Sequence, residues 1–186
     1  TSAIDYTKKA IAADSTREAT KAELGFLYFA DGKSAEAIDA YEKFFAVAKE
    51  PHAIDYYRYG RSILAASREA TGEAQAALLA KGDAAFSKAL ELDPEDFGSA
   101  FWRARLYMTN TSKPQVEVKE RFEAMLQAMG TNDDSAIETY RDGAYSYLVW
   151  YYFENKDIDN AQRVVAEWEQ YIPASDTMLQ FKEALK

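Results

Sequence analysis

From Leu24 to Phe44 the chain reads LGFLYFADGKSAEAIDAYEKF, with apolar positions recurring three and four residues apart on either side of Asp31 and Gly32. That spacing predicts two amphipathic helices facing each other across a tight turn. Gly25 and Ala37 withhold bulk where two helix axes must come within about 8 to 10 Å. Tyr28 and Tyr41 fill the space that opens beyond the crossing.

The pattern recurs along the chain. Ala3 to Ser15 carries Ile4, Tyr6 or Thr7, Ala10 and Ile11 at helical spacing and stops at Asp-Ser-Thr, which predicts one helix without a partner. A complete hairpin follows, its helices spanning about 17–30 and 34–48. The next has Tyr59, Gly60 and Ile63 on its first helix and Gly82, Phe86 and Ala89 on its second, closing at Pro94. A third carries Ala104 and Tyr107, then Val118, Phe122 and Met125, and closes at Gly130; in its NTSKP connector Pro114 suits the first helical position. A long helix from about 134 to 154 bears Tyr145, Leu148, Val149 and Tyr152, and its partner bears Ala161, Val165 and Trp168 before Pro173. Ser175 then caps DTMLQFKEALK, with Met178, Leu179, Phe181 and Leu185 on one face.

Composition agrees with a helical, folded chain: 48% of the 186 residues are hydrophobic and 14% aromatic, while four prolines and eight glycines leave few breaks. With 31 acidic against 22 basic residues the net charge is -9, which argues against nucleic acid as a partner. No apolar run reaches the roughly 18 to 20 residues of a membrane span, so no direct membrane insertion is expected. The start has neither a basic opening nor an apolar core like a signal peptide's. The lack of cysteine excludes disulfides, thiolate ligands and a cysteine nucleophile. Thr1 in place of Met leads us to expect a processing site or a piece of a longer array.

These residues resemble the tetratricopeptide repeat, a helix hairpin with a period of about 34 residues. Leu24, Gly25 and Tyr28 fall where that family has its Leu, Gly and Tyr; Gly32 matches the turn glycine, and Ala37 and Tyr41 the Ala and aromatic of the second helix. AFSKALELDP is the strongest single match. The resemblance implies an all-α fold, a right-handed superhelix of about ten helices in antiparallel hairpins. It is organised as half a leading repeat (1–15), repeats over 17–51, 52–94, 95–130 and 133–173, and a capping helix (175–186), the whole forming one repeat domain. The second repeat has about ten residues more than the period needs, including EAQAALLAK around Thr71-Gly72, so both its helices should be longer. Pro51 stands two residues late, which predicts a slightly extended preceding helix. Val149 is bulkier than the family's usual small residue.

The resemblance also implies a non-catalytic scaffold that takes a protein or peptide in a groove lined by the first helix of each hairpin. Helical geometry puts Phe26 and Phe29, Tyr57 and Arg61, Phe101 and Arg105, and Trp150 and Phe153 on the face away from the second helices. Ala22, Leu64, Met108 and Ser146 share it. Aromatics and arginine are residue types that anchor interfaces, so Arg61 and Arg105 are expected to meet acidic or carbonyl groups of a peptide. The family's Lys, Asn and Arg clamp for a terminal carboxylate is not recognisable, since its positions hold Ala22 and Phe26, or Tyr57 and Arg61. Each ring could equally pack against a neighbouring helix. Trp102, Tyr151 and Tyr171 are candidates for a homodimer face.

Nothing points to catalysis, a cofactor or a metal. His52, the only histidine, stands in a connector without ligand spacing around it. Glu95-Asp96 and Asp133-Asp134 read as charges that favour helix starts. Asn110-Thr111-Ser112 is formally a glycosylation acceptor.

Overall fold

The structure is a computed structural model that describes residues 2–110 and 113–185. Among the described residues ten helices and no strand are found: α1 (Ala3–Ala13), α2 (Glu18–Ala30), α3 (Ser34–Phe45), α4 (Ala53–Ser67), α5 (Gly72–Leu92), α6 (Phe97–Thr109), α7 (Gln115–Met129), α8 (Ser135–Glu154), α9 (Ile158–Tyr171) and α10 (Asp176–Ala184). They fall into two compact units, Thr1–Ser99 and Ala100–Lys186.

In the first unit each helix from α1 to α4 packs on its successor, and α2 also touches α4. Tyr41 and Ile63 are fully buried, with Phe44, Tyr59 and Ala85 completing one core cluster. Gly25 and Gly60 are the close approaches. A Cβ on Gly25 would lie 2.9 Å from the Tyr41 ring, and one on Gly60 2.8 Å from the Phe86 ring. Each hydrogen at Cα is therefore part of a socket for an aromatic side chain of the partner helix.

Helix α3 stops at Phe45 instead of running on toward Pro51. Val47 N–H turns back to the Phe44 carbonyl, three residues earlier, and Lys49 N–H donates to the Glu18 carboxylate at 3.2 Å. The extra residues thus form a connector tied to the start of α2, and residues just before a proline resist helical geometry. The Ala-rich stretch lies in α5, which has 21 residues against 12 in α3. The Gln75 side chain closes its turn by donating to the Ser67 carbonyl at 2.9 Å.

In the second unit α8 packs against α7, α9 and α10, and α10 also rests on α9. Trp168 is fully buried, stacked on Tyr145 with ring centres 6.0 Å apart, and its indole N–H donates to Asp142 at 3.1 Å. Val149 is fully buried too. The close approach on α8 is instead to α6: a Cβ on Gly143 would lie 2.7 Å from the Phe101 ring. Pro114 precedes α7 as its cap, not its first residue, because its ψ of 139° is extended.

Two connectors share one geometry. After α2, Gly32 N–H donates to Phe29 and Lys33 N–H to Tyr28; after α8, Lys156 N–H donates to Phe153 and Asp157 N–H to Tyr152. This paired pattern satisfies the last free carbonyls of a helix and needs a left-handed residue at its centre. Gly32 supplies it with φ 72°, Lys156 with φ 59°. The connector after α7 is held from inside. The buried Arg141 donates to the Gly130 carbonyl at 3.1 Å and the Asn132 carbonyl at 2.8 Å, with its guanidinium 4.2 Å from the centre of the Tyr171 ring.

Candidate functional site

In the first unit α2 and α4 lie side by side, so residues of one reach those of the other. Phe26, Phe29, Tyr57 and Arg61 come together there, all half-buried. The Arg61 guanidinium stands 5.6 Å from the centre of the Phe29 ring and 5.7 Å from that of Tyr57, and Nη1 donates to the Tyr57 hydroxyl at 2.9 Å. Arg58, absent from the sequence-derived set, stacks over Phe26 at 4.2 Å. Its signal in the sequence was its position one turn before Arg61. Two guanidinium groups beside three rings make a surface that is both apolar and positively charged, fit for backbone carbonyls and carboxylates.

The second unit treats its candidates differently. Trp150 and Phe153 are exposed, at 38% and 46%, as is Met108 at 44%. Trp150, Met108, Tyr107 and Tyr147 line a cleft of about 280 Å³ whose polar edge is made by Lys113 and Asn110. Trp150 packs on Tyr147 at 5.4 Å. Burial, with the nearby Tyr151 hydroxyl, pushes the Tyr147 phenol up to about 12, and Tyr147 donates to the Gln115 carbonyl at 3.2 Å. Tyr147 therefore stays neutral and acts as a wall of the cleft.

Phe101 is the exception. It is only 6% exposed, seated on Gly143 and packed against Phe122 at 5.7 Å and Tyr140 at 5.3 Å. It belongs to the core, because Gly143 offers the hollow that its ring fills. Arg105 lies over Phe101 and Trp102, at 5.8 and 5.5 Å. Of the proposed self-association residues, Tyr171 is 37% exposed but stacked on Tyr145, and Trp102 and Tyr151 are half-buried.

His52 begins α4, its N–H donating to Asp55 at 3.0 Å. Among the described residues no cluster of His, Asp or Glu is arranged for a metal ion, and no helix is long and apolar enough to cross a membrane. Thr111 and Ser112 of the formal glycosylation triplet lie outside the described residues.

Paired antiparallel helices, small residues under aromatic rings at the crossings and glycine-type turns define the tetratricopeptide-like helical fold, and this chain has it. Among solved structures it is similar to the C-terminal part of a TPR repeat-containing protein from Cytophaga hutchinsonii, at 20% identity and a TM-score of 0.75, over 96% of this chain and 65% of that one. The chain thus spans just under two thirds of that structure. It is also similar to YrrB, described as a TPR protein with an unusual peptide-binding site (15% identity, TM-score 0.68, 97% of this chain and 81% of that one). MamA gives 17% identity and a TM-score of 0.69, over 97% of this chain and 87% of that one. No protein-family model matches the sequence. No curated protein matches it either.

Proposed function

We propose that this chain is a non-catalytic scaffold that binds a peptide segment of a partner protein on the exposed faces of its first-of-pair helices. The observation that carries the reading is the surface of α2 and α4, where Arg58 and Arg61 lie across Phe26, Phe29 and Tyr57. Rigid rings provide contact area at low entropic cost, and the arginines lying across them bring positive charge that suits a peptide backbone carbonyl or an acidic side chain. The Trp150 cleft of the second unit takes an apolar side chain on the same principle. That one similar structure, YrrB, is described as having a peptide-binding site supports the reading.

The test is to select peptides displayed on phage against the folded protein and measure their affinity by calorimetry. Arg58→Glu with Arg61→Glu, or Trp150→Ala, should weaken the selected peptides at least tenfold, about 1.4 kcal/mol, with the circular dichroism unchanged. Full affinity in both variants refutes the assignment.

A further inference from the structure

A second cleft lies between α1, α2 and α3. Ile11 of α1, Leu24 of α2 and Ala40 of α3 make its floor, and Lys8, Lys21 and Lys43, one from each helix, stand around it, enclosing about 210 Å³. The hollow exists because Ala40, buried at 5%, fills little space where three helices meet, and because α1 buries none of its own residues. Successive residues of a helix turn by about 100°, which puts Leu24 about 140° to 160° around α2 from Phe29 and Phe26, and neither ring lines the cleft. The cleft is therefore separate from the arginine and aromatic surface.

Its charge runs against that of the chain. Three cations and no carboxylate line it in a protein of net charge -9. Lys43 is shared with Asp39 at 2.6 Å, and the Lys8 ammonium stands 5.4 Å from the centre of the Tyr28 ring. Lys21 makes no ion pair among the described residues. An aliphatic floor offers no ring on which a nucleobase could stack. A floor recessed among three helices is also out of reach of a flat bilayer. What fits is a side chain that enters the hollow, with negative charge on either side of it to meet the lysines.

We infer that the α1, α2 and α3 cleft is a second docking site, for a partner segment that carries a bulky apolar side chain flanked by carboxylates. Cationic rims act mainly on the rate of encounter and on the choice of partner, while the apolar floor holds the segment in place. The probe is a fluorescein-labelled peptide, Glu-Glu-Leu-Phe-Glu-Glu, titrated into the full chain at low salt while amide chemical shifts are followed. Saturable shifts should centre on Ile11, Lys21, Leu24 and Lys43. Lys8→Glu with Lys21→Glu, or the milder Lys8→Gln with Lys21→Gln, should raise Kd at least tenfold. A peptide with serines in place of Leu and Phe should bind at least tenfold more weakly. Equal binding of the serine peptide, which would reveal attraction by charge alone, overturns the inference, as do unchanged affinity in the lysine variants and shifts confined to Phe26, Phe29 and Arg61. Because the arginine variants leave this cleft intact, its failure and that of the α2 and α4 surface are read separately.

Discussion

At Gly25 two effects of opposite sign meet, and their sizes decide the outcome. Alanine there gains helix propensity of about 1 kcal/mol. Its Cβ, however, would press on the fully buried Tyr41 ring from 2.9 Å, and overpacking of a filled core costs about 1 to 3 kcal/mol. We expect Gly25→Ala to lose up to about 2 kcal/mol net, seen as a lower midpoint of urea unfolding with an unchanged slope. That Gly25 must stay small at the crossing was legible in the sequence, although Tyr41, the ring that presses on it, was placed beyond the crossing. The pairing of Phe101 with Gly143 was not legible. A helical wheel gives the direction in which Phe101 points, and only the folded chain brings α8 beneath it. Arg58 escaped for a related reason, since its long side chain reaches Phe26 from beside the predicted face.

The helices themselves were legible from apolar spacing and from turn residues, whereas their ends depended on contacts made elsewhere. Helix α3 ends early because Glu18, distant in sequence, takes the Lys49 N–H. Turn chemistry gives the prediction at this scale. The connectors after α2 and α8 make the same two hydrogen bonds, yet the left-handed position is glycine in one and Lys156 in the other. A left-handed conformation costs a side-chain-bearing residue on the order of 1 to 2 kcal/mol, partly offset by the greater freedom glycine has in the unfolded chain. Lys156→Gly should therefore raise stability by about 0.5 to 1 kcal/mol, measured by thermal or urea unfolding. Gly32→Ala should do the reverse.

Across the whole molecule, buried tyrosines link stability to alkaline pH. Burial raises the phenol pKa of Tyr41 and Tyr59 in the first unit and of Tyr145 in the second, where Tyr147 is pushed up to about 12. The ordinary value is about 10. A pKa raised by folding contributes stability that is complete below the unfolded value and lost as pH rises through the folded one. The melting temperature should hold up to about pH 10 and fall by about pH 12, in step with the ultraviolet signal of tyrosinate, and Tyr147→Phe should lose less over that interval. Arg141 enters this linkage through Tyr145, where its positive charge opposes the rise. Its hydrogen bonds run to the main-chain carbonyls of Gly130 and Asn132, which have no proton to lose or gain. The α7 to α8 joint is thus pinned through acceptors that do not titrate, and it is where residual order should persist when the tyrosines ionise and the helices on either side begin to loosen.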